Sequence, residues 1–294
     1  MRPAWLLALV CAACAAGAAS PRMTLDAKVA WTESDARFGG FSGLAVDPDG
    51  RGFTVISDHG AWAKGTLVRD ADGRIEDAAL ADIGQLRGVL GEPLGGIDVD
   101  AEGLAVGPDG EVWVSFEHFH RIRRYADLAE PAASVPGHRD FKSLQRNSGL
   151  EALAIDAEGA VYAIPERSGR LDRPFPVYRF SDGRWQKGLS LRRDGAFLVS
   201  DAAFGPDGRL YLLERDFEWL RGFRTRVRRF DLGPEGLTGE TTLLQTRFGE
   251  LDNMEGIAVW QDPGGRTRII LLSDDNFLYP LQRTLFAEYV VTAD

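Results

Sequence analysis

Acidic residues recur at two positions of the sequence, each beside a short apolar segment. The first position comes just before an apolar segment and holds Glu102, Glu151 and Glu255, with Ser42 and Ser200 in two further copies. The second position follows the next apolar segment and holds Asp58, Glu117, Glu166, Glu214 and Asp274. Carboxylates that gather in one place can bind a cation or transfer protons as general acids and bases. The spacing therefore raises the question of which fold brings them together.

The residue after the second acid is basic or can become basic in four of the five copies. These residues are His59, His118, Arg167 and Arg215, with Asp275 in the fifth copy. Guanidinium groups bind carboxylates and phosphates through paired hydrogen bonds. The pattern predicts catalytic roles for Glu117, Glu166, Glu214, His59 and His118, and substrate binding by Arg167 and Arg215. An alternative reading is a ring of ion pairs that only offsets the repulsion between the acids.

The fifth copy is acidic on both sides and has no local cation. Its two segments are Asp252-Asn253-Met254-Glu255 and Ser273-Asp274-Asp275-Asn276-Phe277. Oxygen ligands alone suit a hard cation such as Ca²⁺, which takes six to eight of them. The predicted Ca²⁺ ligands are Glu255, Asp274, Asp275, Asn276, Glu102, Glu151 and Asp58. An acidic mouth that is solvated or paired with arginine stays open as the alternative.

Each copy has the pattern of a β-hairpin, and further alternating strands follow it. Pro-Asp-Gly or Ala-Glu-Gly separates the two apolar strands, and these residue types favour a tight turn. Four strands in each repeat of about 40–50 residues are typical of a β-propeller. We expect an all-β propeller of five or six blades whose ring is closed by an N-terminal strand at residues 26–31. Both acidic positions would then lie at one mouth of the central channel.

The composition fits an exported globular protein. The chain of 294 residues has a net charge of −10 and is 44% hydrophobic, which excludes a disordered chain and disfavours nucleic acid as a partner. Residues 1–19 have the pattern of a secretory signal peptide and contain both cysteines, Cys11 and Cys14. We therefore expect one domain at residues 20–294, periplasmic or secreted, monomeric and without a transmembrane segment. A lipoprotein acylated at Cys14 is the alternative.

Several motifs resemble those of the phytase-like propeller family, described as "esterase-like activity of phytase". The motifs are Glu102-Gly103-Leu104-Ala105-Val106, Gly149-Leu150-Glu151-Ala152-Leu153, Glu214-Arg215, Asn253-Met254-Glu255-Gly256-Ile257 and Ser273-Asp274-Asp275-Asn276-Phe277. The resemblance implies exported hydrolysis of a phosphomonoester or small ester by a metal cluster at the channel mouth. Two alternatives stay open, namely a non-catalytic, calcium-stabilised binding module of the cell envelope and a calcium propeller that hydrolyses lactones.

Overall fold

The computed structural model describes residues 21–96, 99–146 and 148–292. They form twenty β-strands and a short 3-10 helix at Arg139–Ser143. In chain order the strands are β1 (Arg22–Ala30), β2 (Phe41–Val46), β3 (Gly52–Ser57), β4 (Ala61–Arg69), β5 (Ile75–Gln85), β6 (Ala101–Val106), β7 (Val112–Phe116), β8 (Arg121–Tyr125), β9 (Ala133–Ser134), β10 (Leu150–Ile155), β11 (Val161–Pro165), β12 (Phe175–Ser181), β13 (Arg184–Leu191), β14 (Leu198–Phe204), β15 (Leu210–Glu218), β16 (Gly222–Gly233), β17 (Gly236–Gln245), β18 (Met254–Gln261), β19 (Thr267–Ser273) and β20 (Leu285–Thr292).

The strands form five antiparallel sheets of four strands each, arranged as the blades of a propeller. Blades 1 to 4 are β2–β5, β6–β9, β10–β13 and β14–β17, and blade 5 joins β18, β19 and β20 to β1. The innermost strands contact one another in the ring order β2, β6, β10, β14, β18 and back to β2. The propeller prediction is confirmed, and the blade number is five because the described residues contain no sixth sheet.

The N-terminal strand closes the ring, as predicted. Strand β1 pairs antiparallel with β20, so the first and last described strands share blade 5. Trp31, which follows β1, is 1% exposed and packs against Phe41 and Phe53 of blade 1 and Phe286 of blade 5. This aromatic cluster joins the two blades at the point of closure.

The innermost strand of each blade contains a β-bulge near its start. In blade 3 the ladder passes from Leu150 to Ala152, and in blade 5 it passes from Met254 to Gly256. The residues between them, Glu151 and Glu255, are the bulge residues. A bulge bends the strand and re-aims a side chain. The first recurring position, which is acidic in three copies and serine in two, is thus a bulge, and this explains why it recurs at one register in every copy.

Gly103, which follows Glu102 in the bulge of blade 2, has almost no room for a side chain. A Cβ added at Gly103 would lie 2.5 Å from the carbonyl oxygen of Glu151 and 2.9 Å from the backbone nitrogen of Leu153, both in blade 3. We expect Gly103→Ala to lower the free energy of unfolding by about 1–3 kcal/mol, because blades 2 and 3 must move apart. Urea denaturation measures this, with Gly188→Ala in β13 as the control, since a Cβ there meets nothing within 4 Å.

The channel is polar at one end and apolar at the other. The innermost strands continue from their bulges into leucine, isoleucine, alanine and valine side chains, which line a cavity of about 120 Å³ at the far end. Leu44, Leu104 and Leu153 are examples, and all three are buried. The acidic residues therefore lie at the end where the innermost strands begin, which we call the mouth.

The predicted signal peptide, residues 1–19, lies outside the described residues. Export, the domain boundary after residue 19 and the Cys14 alternative stay predictions. No helix in the part of the chain that the structure describes has the length and apolar character needed to cross a membrane.

Candidate active site at the channel mouth

Carboxyl groups from blades 2 and 3 meet at the mouth. Glu102 and Glu151 come from the bulges, while Glu117 and Glu166 follow β7 and β11. The Glu117 carboxyl accepts a hydrogen bond from the backbone N–H of Gly149 and shares another with the carboxyl of Glu151. The two recurring acidic positions therefore converge, as the hairpin geometry predicts.

Two of these acids and the neighbouring Asp100 lie close enough to share one cation. Asp100, Glu102 and Glu117 each offer an oxygen atom, and the three oxygens lie within 4.8 Å of one another. The Asp100 Oδ2 atom also lies 2.8 Å from Nδ1 of His118. The sequence analysis missed Asp100. Asp100 lies two residues before Glu102, just as Asn253 lies two residues before Glu255. This repeated spacing could have identified Asp100 as a site residue.

Burial and mutual repulsion favour the protonated form of this group. Burial raises the pKa of Glu117 to about 7, and the charge of Asp100 adds to the effect. Glu102 is partly accessible from the channel, yet burial raises its pKa well above the usual value, and repulsion from Glu151 reinforces the shift. The pKa of Glu151 is raised well above its usual value for the same reasons. Such a group holds protons or binds a cation.

A second acidic pair faces it from blades 1 and 5. Burial raises the pKa of Asp274 to about 7, with repulsion from Asp58 and Asp275 adding to the shift. Burial likewise raises the pKa of Asp58, and repulsion from Asp100 links this pair to the blade 2 acids. The acidic lining therefore extends from blade 2 into blades 1 and 5.

Blade 4 departs from the pattern that the sequence suggested. In blades 2, 3 and 5 the residue just before the bulge pairs with a residue on the next strand, and the acid comes directly after that partner. In blade 3, for example, Leu150 pairs with Pro165, and Glu166 follows Pro165. In blade 4 the corresponding pair is Val199 and Glu214, so Arg215 occupies the acidic position. A one-residue shift along a strand moves a side chain to the opposite face.

Arg215 is the cation at the centre of the acidic ring. Its guanidinium contacts the carboxylate of Glu255, and Nη1 donates to Oδ1 of Asn253 at 3.1 Å. Its Nη2 atom lies 3.5 Å from Oε1 of Glu166. Arg215 thus links blades 3, 4 and 5 at the mouth. Its contacts are with two carboxylates and one amide oxygen, and its side chain is largely buried, so the structure does not present it as an exposed clamp for substrate.

Glu214 lies apart from the mouth in a buried ion-pair cluster. Arg226 Nε and Arg228 Nε donate to its Oε2 atom at 2.7 and 2.8 Å, and Nη2 atoms of the same residues donate to Oε1. The Glu214 side chain is fully buried. Because this carboxyl is fully buried between two guanidinium groups and lies away from the mouth, the structure corrects the prediction that Glu214 acts as a general base.

The fifth-repeat residues divide between the mouth and its supporting loop. Asp275 accepts hydrogen bonds from the N–H groups of Gly40 and Phe277 at 3.0 and 3.1 Å and from the Thr284 hydroxyl at 3.2 Å. The Asn276 amide donates to Gln282 at 3.1 Å. Asp275 and Asn276 therefore hold the β19–β20 loop against blade 1. The structure does not bring them to the group of Asp100.

The remaining predicted residues lie at the rim. The Arg167 side chain is 45% exposed, and its Nε donates to Oε2 of Glu166 at 2.9 Å and to Oγ of Ser148 at 2.8 Å. The His59 ring stacks on Phe277 with centroids 4.4 Å apart. Arg167 is therefore a partly exposed cation beside the acidic mouth.

A family model described as "Phytase-like: Esterase-like activity of phytase" matches residues 36–277, which include the innermost strands of all five blades. The chain belongs to the phytase-like family. The PQQ-bound aldose sugar dehydrogenase from Streptomyces coelicolor is 14% identical, with a TM-score of 0.50 over 92% of this chain and 98% of that chain. At that identity it shows only that the propeller fold is shared. No curated protein matches the chain.

The mouth of this phytase-like propeller has the donor chemistry of a hard-cation site. Arg215 contacts two of the eight described carboxyl groups in and around the mouth, which are those of Asp58, Asp100, Glu102, Glu117, Glu151, Glu166, Glu255 and Asp274. Arg215 offsets only part of this charge, and Arg167 adds one charge at the rim. Oxygen donors in excess of cations fit Ca²⁺ rather than a softer metal.

The raised pKa values predict how stability depends on pH in this family member. Glu117 and Asp274 have pKa values of about 7, so the folded state binds more protons than the unfolded state between about pH 4.5 and 7. Without a cation, stability should fall as the pH rises through this range. Added Ca²⁺ should raise the Tm by several degrees at about pH 8 and have little effect at about pH 5, as thermal melts would show. An equal Ca²⁺ effect at both values would contradict the assignment.

Proposed function

We propose that this protein is an exported, metal-dependent hydrolase of a phosphomonoester or small ester, with its active site at the acidic mouth. The observation that carries the proposal is the group of Asp100, Glu102 and Glu117, whose oxygens lie within 4.8 Å of one another. The description of the family, which names esterase-like activity, supports the reaction class.

Asp100, Glu102 and Glu117 are the residues that would hold the cation, with Glu151 beside them. A divalent cation held there would supply Lewis-acid chemistry, which polarises an ester or phosphoryl oxygen and lowers the pKa of water. The hydrogen bonds from Gly149 and from the Glu151 carboxyl hold Glu117 in place. The three carboxylates are therefore already positioned around a common point.

The rim residues orient the substrate and move protons. Arg167 binds anionic oxygens of the substrate, because its guanidinium is exposed above the mouth. Glu166 is the candidate general base, since it contacts Arg167 and so lies beside any anion held there. His118 is the candidate proton donor to the leaving group. Asp100 lies against its Nδ1 atom, which leaves Nε2 to transfer the proton.

The test is an assay of the purified protein with p-nitrophenyl phosphate and p-nitrophenyl acetate. We expect turnover of at least one substrate in the presence of Ca²⁺ and loss of that turnover with a chelator. Absence of turnover on both, with the chelator lowering only the Tm, would contradict the proposal. That result would favour the calcium-stabilised binding module. A lactone substrate in the same assay tests the lactonase alternative.

A further inference from the structure

Exposed apolar side chains are concentrated on the face that carries the mouth. Among the described residues, only three of the large exposed apolar side chains lie elsewhere, namely Leu25, Val68 and Val106. The other eleven lie at the mouth end of β15, as Phe217 does, or in connections that join strand ends at the mouth: Val89, Leu90, Phe119, Leu171, Trp219, Leu220, Phe277, Leu278, Tyr279 and Leu281. Where exposed apolar side chains form neighbouring groups on one face, they mark an interaction site.

The most prominent group is the tip of the β15–β16 hairpin. The ladder continues beyond Arg215 through three more pairs, the last of which joins Glu218 to Gly222. The hairpin therefore projects above the mouth. Trp219 and Leu220 at its tip are 85% and 92% exposed. These side chains contribute almost nothing to the core.

The base of the hairpin is held firmly. The rings of Phe217 and Phe223 lie 4.7 Å apart, and Arg224 Nη2 lies 2.6 Å from Oδ2 of Asp216. The Arg224 guanidinium also covers the ring of Phe248 at 4.5 Å. The tip is thus presented to solvent on a fixed support.

The β19–β20 loop forms a second apolar group beside the hairpin. Leu278, Tyr279 and Leu281 are exposed, with Leu281 at 86%. Gln282 and Arg283 of this loop donate to the Asp252 carboxylate at 3.0 and 3.2 Å. The hairpin rests on the same segment, residues 246–253, because Gly249 N–H donates to the Phe223 carbonyl at 2.7 Å. The two groups are therefore neighbours on one face.

We propose that this face docks on a zwitterionic lipid surface, with the acidic mouth turned toward that surface. The apolar side chains are separate projections around a ring, and a fluid surface can close around each of them. A protein partner would need a matching pocket for every projection. Tryptophan and tyrosine also favour the boundary between water and lipid.

The charges of the protein and of this face indicate which class of lipid headgroup the face fits. The chain has a net charge of −10 and an acidic mouth, so an anionic surface would repel it. Around the two apolar groups the charges balance, with Arg221, Arg224 and Arg247 near Asp216, Glu218 and Glu250. A neutral apolar rim fits zwitterionic headgroups. This inference does not require the proposed hydrolytic function.

The test is flotation of the purified protein with phosphatidylcholine vesicles and, separately, with phosphatidylglycerol vesicles. We expect the protein to float with phosphatidylcholine, and the double variant Trp219→Ser/Leu220→Ser to bind about tenfold or more weakly. The matched control, Leu25→Ser/Val68→Ser, removes two exposed apolar side chains away from the mouth face and should bind as the unchanged protein does. Equal Tm values for both variants would confirm that folding is preserved.

Three results would overturn the inference. The first is failure of the unchanged protein to float with phosphatidylcholine, and the second is unchanged binding of the Trp219→Ser/Leu220→Ser variant. The third is self-association in solution that the same variant abolishes, which would make a second copy of the chain the occupant of this face. Flotation does not depend on turnover. A protein that floats but hydrolyses no ester would refute the proposed function and leave this inference standing.

Discussion

Glu117→Gln is expected to lower kcat for ester or phosphoester hydrolysis by on the order of 10²–10³-fold and to weaken Ca²⁺ binding strongly. Glu117 supplies one of three oxygens that lie within 4.8 Å of one another, and the Gly149 N–H and the Glu151 carboxyl hold it in place. The amide keeps the shape of the side chain but removes its negative charge. Turnover and Ca²⁺ titration calorimetry measure the two effects.

The stability of Glu117→Gln is expected to stay the same or to rise, whereas its activity falls. The Glu117 pKa of about 7 shows that the charged carboxylate is poorly accommodated without a cation. We therefore expect Glu117→Gln to be as stable as the unchanged protein, or more stable, at neutral pH in the presence of a chelator. Glu158→Gln, an exposed acid in the turn between β10 and β11, serves as the control and should change neither property. Full activity in Glu117→Gln would remove this residue from the site.

Glu214→Ala is expected to lower the free energy of unfolding by about 3–5 kcal/mol. The substitution leaves the guanidinium groups of Arg226 and Arg228 buried without the carboxylate that both contact. Removing one partner of a buried ion pair costs more than removing the whole pair, because the remaining charge stays desolvated. Urea denaturation measures the loss. The exposed Glu235→Ala in the β16–β17 turn should cost less than about 0.5 kcal/mol.

The kcat of Glu214→Ala distinguishes a structural role of Glu214 from a catalytic one. If it is structural, the folded fraction of Glu214→Ala should keep kcat within a few-fold of the unchanged protein. A large loss of kcat with unchanged stability would instead make Glu214 a catalytic base, as the sequence pattern first suggested.

The repeat pattern was sufficient to predict the architecture. Each hairpin has its own turn residues, and its apolar strands recur at similar intervals, so the propeller and its closure by an N-terminal strand followed from local chemistry. The convergence of Glu102 and Glu117 at one mouth followed as well, because the start of one strand and the end of the next lie together in any hairpin. The bulge that carries Glu102 was not predicted, since it shows only in the pairing register.

Side-chain partnerships could not be predicted in the same way. Glu214 and Arg215 are adjacent in sequence, and only the register of β14 with β15 decides which of them faces the channel. The partners of Glu214 lie on β16, and those of Asp275 include the Gly40 N–H near the other end of the chain. Their roles depend on contacts between distant segments. Asp100 was missed for a different reason. It lies two residues before Glu102, where the aligned motif begins.

The proposed function requires that the carboxylates at the mouth hold a cation that hydrolysis needs. The rate of p-nitrophenyl ester or phosphate hydrolysis should therefore be measured as the free Ca²⁺ concentration is raised from zero in chelator-treated protein. We expect no turnover without Ca²⁺, a saturable rise as Ca²⁺ is added, and a shift of that curve to higher Ca²⁺ in Glu102→Gln. A rate that is independent of Ca²⁺, or a curve that Glu102→Gln leaves in place, would contradict it.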